Sequence, residues 1–196
     1  MLFERKGTCL ITERAFEISI QDFSVHQLTP EDSGSIQTLF ENCLDFMLLV
    51  DGRPAGNDAA EETFQDLPPG KSLQDKFVFG IFDRQHKLVG LLEVVRGYPD
   101  NITWWIGLLL LSPESRSQGL GKQVLEGFVK YVSSNGGQVI MLGVVEENQR
   151  AYSFWESTGF EFVRKTEPKQ FGNKIQTVSI MRRSLGMDIV NGNKAA

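Results

Sequence analysis

The segment LSPESRSQGLGK, which runs from Leu111 to Lys122, is the part of the sequence that best indicates the fold. An apolar run typical of a buried strand precedes it and apolar side chains at helical spacing follow it, so the segment predicts a strand-to-helix turn. Gly119 and Gly121 allow the backbone to turn tightly and to approach a ligand closely. The first N–H groups of the helix are unpaired and attract anions. The turn therefore predicts a phosphate site, with a solvated turn whose glycines only relieve strain as the alternative.

The spacing of this turn excludes two well-known nucleotide-binding loops. No Gly-Lys-Ser/Thr follows at the distance that a Walker loop requires, and the third glycine and downstream acid of a Rossmann fingerprint are missing. A nucleotide-phosphate-binding protein that prefers ATP is therefore disfavoured. Arg116 and Lys122 would add positive charge to the turn.

A second segment, NQRAYSFWESTGF at residues 148–160, follows one predicted strand later. Together the two segments resemble the signature of the GNAT N-acetyltransferases: an R/Q-x-x-G-x-G/A loop, a helix, a strand, and then N-x-x-A-x-x-(F/L)-(Y/W)-x-x-x-G-F. Arg116, Gly119 and Gly121 match the first element. The residues that match the second are Asn148, Ala151, Phe154, Trp155, Gly159 and Phe160.

The resemblance, strong over residues 102–162 and weak before Phe77, implies a mixed α/β fold. This is the GNAT acyl-CoA N-acyltransferase fold, in which helices flank a central, mostly antiparallel sheet with one splayed parallel strand pair. The periodicity agrees, because it predicts the order β-α-(α)-β-β-β-α-β-α-β-β, with one long first helix from Thr29 to just before Asp51. We expect one domain over residues 1–183 and a flexible tail over residues 184–196.

The resemblance also implies that acetyl-CoA is the acyl donor. Backbone N–H groups of the loop bind its pyrophosphate in the family. The corresponding residues here are Ser117, Gln118, Gly119, Leu120, Gly121 and Lys122. Arg116, just before them, is a further candidate to bind the cofactor, through its charge. The pantetheine arm pairs like an extra strand with the preceding strand, here at Leu109 and Leu111. Asn148 is implied to bond to this arm, with Ala151 and Trp155 beside it, although Asn148 is also placed to cap its own helix.

Acetyl transfer to an amine requires a base, because the amine, with a pKa of about 10, must lose a proton before it attacks. Glu93 is the candidate base, since it is an acid within an otherwise apolar strand. Its position suits a solvent-facing side chain equally well. The resemblance implies a backbone N–H near Leu111 as the donor that stabilises the oxyanion.

The departing thiolate takes a proton from a tyrosine on the last helix in many family members. Trp155 stands at that position here, and an indole does not give up its N–H proton at neutral pH. Tyr152, one turn earlier, is expected in the core. Tyr98, just after the predicted hairpin, is instead a candidate to face the substrate.

The resemblance also implies that the acceptor amine binds between residues 42–75 and residues 97–105. Trp104 and Trp105 are adjacent on a strand, so one of them fills the core and the other is a candidate wall of the acceptor pocket. The first stretch is rich in acids, which would attract a cationic amine, although a solvated surface is the simpler explanation.

Composition further narrows the classes of protein to which this chain could belong. The net charge of −5 argues against a nucleic-acid partner. Cys9 and Cys43 lie far apart without histidines nearby, so no metal is expected. The longest strongly apolar run, Ile106 to Leu111, is too short to span a membrane, and the N-terminus lacks a signal-peptide core, so we expect a cytoplasmic protein. A CoA-binding sensor without strong catalysis is the alternative to an enzyme, and a homodimer is left open.

Overall fold

The computed structural model describes residues 18–20 and 22–186. The strands are β1 (Ile18–Ile20), β2 (Phe23–Gln27), β3 (Lys76–Asp83), β4 (Leu88–Arg96), β5 (Thr103–Leu111), β6 (Val139–Val145), β7 (Glu161–Lys165), β8 (Lys169–Phe171), β9 (Lys174–Gln176) and β10 (Val178–Ser184). The helices are α1 (Ser33–Asn42), α2 (Leu44–Val50), α3 (Ala59–Gln65), α4 (Leu120–Ser134) and α5 (Gln149–Ser157). Short 3-10 turns lie at Pro30–Asp32, Leu73–Asp75 and Pro113–Ser115.

Eight strands form one sheet in the order β1-β2-β3-β4-β5-β6-β10-β7. Neighbouring strands are antiparallel except β5 and β6, which run parallel. A parallel pair needs a crossover connection, and α4 supplies it. Strands β8 and β9 form a separate hairpin. The predicted mixed α/β fold, mostly antiparallel with one parallel pair, is therefore confirmed.

Helices cover both faces of the sheet. Successive side chains of each strand point to opposite sides, and apolar side chains on both sides are buried against these helices. We call the side that packs against α4 and α5 the α4 face, with Phe79 and Trp104 buried in its core. The other side, the α1 face, packs against α1, α2 and α3, and its core includes Ile36 and Leu91. The predicted hairpin, the buried third strand and the two later helices all lie where the periodicity placed them.

The predicted long first helix is interrupted at Cys43, and this is a correction. Cys43 has φ −96° and ψ 36°, outside the helical range, and separates α1 from α2. Its side chain is buried and its Sγ lies 3.5 Å from the carbonyl oxygen of Leu111. The apolar spacing runs unbroken through this point, so periodicity alone does not reveal a bend that tertiary contacts impose.

Two other boundaries differ from the prediction. The alternation predicts a first strand over Phe16 to Phe23. Strand β1 lies within that range and β2 begins only at its last residue, while residues 16, 17 and 21 lie outside the described residues. The hairpin of β8 and β9 was not predicted because its segments are short and mostly exposed. Strand β10 runs to Ser184, and the N–H of Leu185 donates to the carbonyl of Gln138 at 2.8 Å. The division into one domain over residues 1–183 and a tail stays a prediction. Residues 187–196 of the predicted tail lie outside the described residues.

Candidate active site

A cleft opens in the sheet between β5 and β6. The parallel pairing between them covers Thr103–Ile106 and Val139–Leu142 and ends there, although the strands continue to Leu111 and Val145. On its other side β5 stays paired with β4 as far as Leu111. One edge of β5 is thus open, and an open strand edge can pair with an extended ligand.

The backbone of β5 directs specific groups into this cleft. The N–H of Ser112 donates to the carbonyl of Val89 at 2.8 Å, which makes these two a hydrogen-bonded pair. Antiparallel pairs alternate, so Leu111, opposite Gly90, turns its backbone groups away from β4. Leu109, two residues earlier, does the same. The two residues predicted to pair with a pantetheine arm therefore point their amides into the cleft.

The turn after β5 presents N–H groups at the start of α4. Ser117 has φ 63° and Gly119 has φ 80°, both in the left-handed region. Such alternation turns successive amides toward one side, a concavity that binds anions. Gly119 is the N-cap of α4, and no described side chain caps its first amides. The turn therefore has the form of a phosphate site, continuous with the open edge of β5.

The charges around this turn differ from those that the spacing suggested. Arg116 makes hydrogen bonds within the protein: its Nε donates to the carbonyl of Leu111 at 2.8 Å and its Nη2 donates to Asp45 at 3.1 Å. The same contact holds the pKa of Asp45 below its ordinary value. Lys122 is exposed. Arg150, which the sequence did not single out, reaches the turn from α5 and donates to Oγ of Ser117 at 2.7 Å.

Helix α5 closes the α4 face below the cleft. Asn148 caps it, since its Oδ1 accepts from the N–H of Ala151 at 3.0 Å. Ala151 is half-buried against the core. Trp155 is buried, with its ring centroid 4.9 Å from that of Phe154 and 5.1 Å from that of Phe160. The indole at the family's tyrosine position thus packs against its aromatic neighbours, and its contact with the donor stays a prediction.

Glu93 lies at the mouth of the cleft, on the α1 face. A Cβ atom at Gly107 would lie 2.8 Å from Oε1 of Glu93, so the carboxylate covers the residue at which the pairing of β5 with β6 has just ended. Lys76 donates to the same oxygen at 2.8 Å. Burial raises the pKa of Glu93, and Lys76 opposes that rise. Glu93 is therefore largely shielded from solvent, and its role as the base stays a prediction.

The two adjacent tryptophans face opposite sides of the sheet, as predicted. Trp104 is 1% exposed and belongs to the core of the α4 face, so it does not line an acceptor pocket. Trp105 is half-buried on the α1 face, where Tyr98 packs against it edge-on with ring centroids 5.7 Å apart. Trp105 and Tyr98 therefore form an aromatic wall on the side of the sheet that carries Glu93.

The β8–β9 hairpin is attached to the end of α2. The N–H of Asn173 donates to the carbonyl of Asp51 at 2.7 Å, and Lys174 and Gln176 each donate to the carbonyl of Leu49 at 3.0 Å. These bonds satisfy the last carbonyls of α2, which otherwise lack partners. The hairpin and α2 are thereby fixed to each other beside the cleft.

Within residues 18–20 and 22–186, no three or more His, Cys, Asp or Glu side chains are grouped as a metal site. No helix in those ranges has the length and apolar character needed to cross a membrane.

The model of the acetyltransferase (GNAT) family matches residues 35–160, which is more than half of the chain. An uncharacterized N-acetyltransferase of Bacillus subtilis (strain 168), YobR, is 25% identical over 117 residues. That match covers 59% of this chain and 43% of the relative, so the chain spans less than half of the relative's length.

Solved structures share the fold. An acetyltransferase from Thermus thermophilus superposes with a TM-score of 0.71 at 22% identity, covering 86% of this chain and 100% of that one. Spermidine N-acetyltransferase from Vibrio cholerae, solved with CoA and spermine, has a TM-score of 0.67 at 20% identity and covers 85% and 97%. These likenesses concern the fold alone. The open strand edge, the turn before α4 and the family match lead to one conclusion: the chain belongs to the acetyltransferase (GNAT) family.

Proposed function

We propose that this protein transfers an acetyl group from acetyl-CoA to a primary amine of a small molecule or a peptide. The observation that carries the proposal is the continuity of the open β5 edge with the turn before α4. An extended arm paired with Leu109 and Leu111 would end with its phosphates at the amides of residues 117–122. The Vibrio cholerae enzyme of similar fold was solved with CoA and spermine, which supports both the donor and the class of acceptor.

The reaction joins the amine nitrogen to the thioester carbonyl carbon and breaks the carbon–sulfur bond. An ammonium group loses one proton before attack and the second as the tetrahedral intermediate collapses. One proton leaves through the base to solvent, and the other ends on the sulfur of CoA. The protein must therefore supply a base, an oxyanion donor and an exit for the thiolate.

Glu93 is the proposed base. Its carboxylate lies over Gly107, where the cleft opens, and is largely buried with 17% of its side chain exposed. A buried carboxylate with a raised pKa is a stronger proton acceptor than an exposed one. It takes the proton of the ammonium directly or through one water molecule.

The remaining roles fall to the backbone and to the thiol itself. The amide of Leu111 points into the cleft and is the proposed oxyanion donor. Trp155 is buried among aromatic rings and supplies no acid. A thiol with a pKa of about 8.5 leaves without general-acid help at a moderate cost in rate. Tyr98 packs against Trp105, so we assign it to the acceptor pocket.

A second candidate function rests on Trp155. Because no acid stands at that position, the alternative is a CoA-binding sensor that catalyses acetyl transfer only slowly. Binding of acetyl-CoA is common to both functions, whereas release of free thiol in the presence of an amine belongs to the enzyme. Spermine, benzylamine and an alanyl tripeptide form a suitable set of amines for this assay.

The test of donor binding uses two glycines in the same backbone conformation. Gly119 precedes α4 with φ 80° and Gly136 follows its end with φ 78°. A Cβ atom at Gly119 would meet only Nε2 of Gln123, at 3.9 Å, and one at Gly136 would meet nothing within 4 Å. We expect acetyl-CoA to raise the unfolding temperature of the wild type and of Gly136→Trp, but not of Gly119→Trp. No shift at saturating acetyl-CoA in the wild type would overturn the proposed function.

A further inference from the structure

Lys76, the first residue of β3, is a buried cation that the reaction scheme above does not use. Only 3% of its side chain is exposed. Its Nζ donates to Oε1 of Glu93 at 2.8 Å and also to the carbonyl of Asp66, the residue that ends α3. Burying an ammonium group costs free energy unless the group is paired, so the buried position of Lys76 requires an explanation.

The register of the sheet explains how Lys76 reaches Glu93. Lys76 lies opposite Val95 on β4, and Glu93 is two residues before Val95 on the same face. Diagonal neighbours of this kind are within reach of long side chains. Gly107 of β5 lies against Glu93 from the other side. The carboxylate is therefore held between a cation on β3 and the cleft on β5.

Few charged groups face Glu93. Lys76 approaches from β3 and Asp66 acts on it more weakly from the segment after α3. Its neighbours on β5, Gly107 and Leu108, carry no ionisable side chain. Burial favours the neutral carboxylic acid, and Lys76 is the group that favours the carboxylate. Only the carboxylate can accept a proton.

We propose that Lys76 is a positioning residue that keeps Glu93 ionised and directed at Gly107. The inference rests on the proposed function, in which Glu93 is the base. Removing the charge of Lys76 leaves a buried carboxyl without its cation, so Glu93 takes up a proton at a higher pH. Catalysis then fails near neutral pH and returns as the pH rises. A merely structural lysine would lower the rate equally at every pH.

The test measures kcat against pH at saturating acetyl-CoA and the best of the three amines named above. In Lys76→Met we expect the acid limb to move to higher pH, with a loss of about 10-fold or more at pH 7. Lys76→Arg retains the cation and should keep the limb near its wild-type position. Arg183→Met removes a cation paired at 2.9 Å with Glu126 on the α4 face, and is the matched control whose limb should not move.

A second measurement does not depend on turnover. The infrared carbonyl band of a protonated carboxyl is followed against pH in the wild type, Lys76→Met and Lys76→Gln, with Glu93→Gln identifying the band. A band that persists to higher pH in both Lys76 variants supports the inference. An unmoved band in a folded variant overturns it. If the wild type acetylates no amine, the proposed function fails while the infrared titration still decides whether Lys76 controls Glu93.

Discussion

The carboxylate of Glu93 occupies the space that a side chain at Gly107 would need, since a Cβ atom there would lie 2.8 Å from Oε1. Gly107 is exposed on β5, next to the last residue that pairs with β6. The pairing of β4 with β5 is also irregular here, between Glu93 and Val94. Irregular pairing next to a functional site commonly re-aims a side chain, and here it brings the carboxylate to the mouth of the cleft.

Gly107→Ala should therefore impair catalysis without impairing donor binding. The new methyl group displaces the end of a flexible side chain and costs little stability, but it moves the carboxylate. We expect kcat to fall by about 10-fold or more, since a positioned base contributes a factor of that order or larger. The thermal shift with acetyl-CoA should persist. Gly34→Ala, whose Cβ meets nothing within 4 Å, is the control, and an equal loss of kcat there would contradict the assignment.

The pH dependence of kcat should carry the signature of Glu93. Its ionised form is the active one, and burial raises its pKa, so kcat should decline as the pH falls through a value above the ordinary range of a glutamate. Glu93→Gln should remove this limb together with most of the rate. Glu126→Gln, on α4, tests for a general effect of losing a carboxylate. An acid limb that survives in Glu93→Gln would assign the base elsewhere.

Trp104 and Trp105 offer a test of the acceptor pocket within one dipeptide. Trp104→Leu removes part of a buried side chain and should destabilise the fold by about 3 kcal/mol. Trp105→Leu should leave the unfolding temperature nearly unchanged and raise KM for the amine, while KM for acetyl-CoA stays the same. Denaturant unfolding and steady-state kinetics separate the two. A Trp105→Leu enzyme with wild-type KM for every amine would remove Trp105 from the pocket.

The parts of the site that were predicted are those that depend on backbone and local spacing. The turn at Gly119 and the cap at Asn148 are set within a few residues of sequence, and the cleft follows from the fold that their order indicates. Trp104 and Trp105 were separated by the alternation of a strand, but which of them faces the core depends on the packing of α4. A single sequence does not contain that choice.

The parts that were missed are contacts between residues distant in the chain. Arg116 lies 71 positions from Asp45, and Lys76 lies 17 positions from Glu93, so no local pattern connects either pair. The sequence showed that Arg116 carries charge but not that a bend at Cys43 would bring a carboxylate to it. Side-chain pairing across elements is decided by register and packing, which periodicity describes only coarsely.

The distribution of positive charge at the turn before α4 yields the last prediction. Arg116 is held by Asp45 and by the carbonyl of Leu111, whereas Arg150 rests on Ser117 of the turn itself. Arg150→Gln should therefore weaken acetyl-CoA binding by about tenfold, which corresponds to roughly 1.4 kcal/mol, and should flatten the dependence of Kd on salt. Arg116→Gln should lower the free energy of unfolding and change the salt dependence less.

Calorimetric titration of acetyl-CoA at low and high salt, beside denaturant unfolding, measures both effects. Lys130→Gln, on the exposed surface of α4, is the control for loss of one positive charge, and its salt dependence should match that of the wild type. If the Kd for acetyl-CoA depends less on salt in Arg116→Gln than in Arg150→Gln, the donor displaces Asp45 from Arg116 when it binds. The guanidinium predicted from the motif would then bind the phosphates after all, through a rearrangement of α2 on binding.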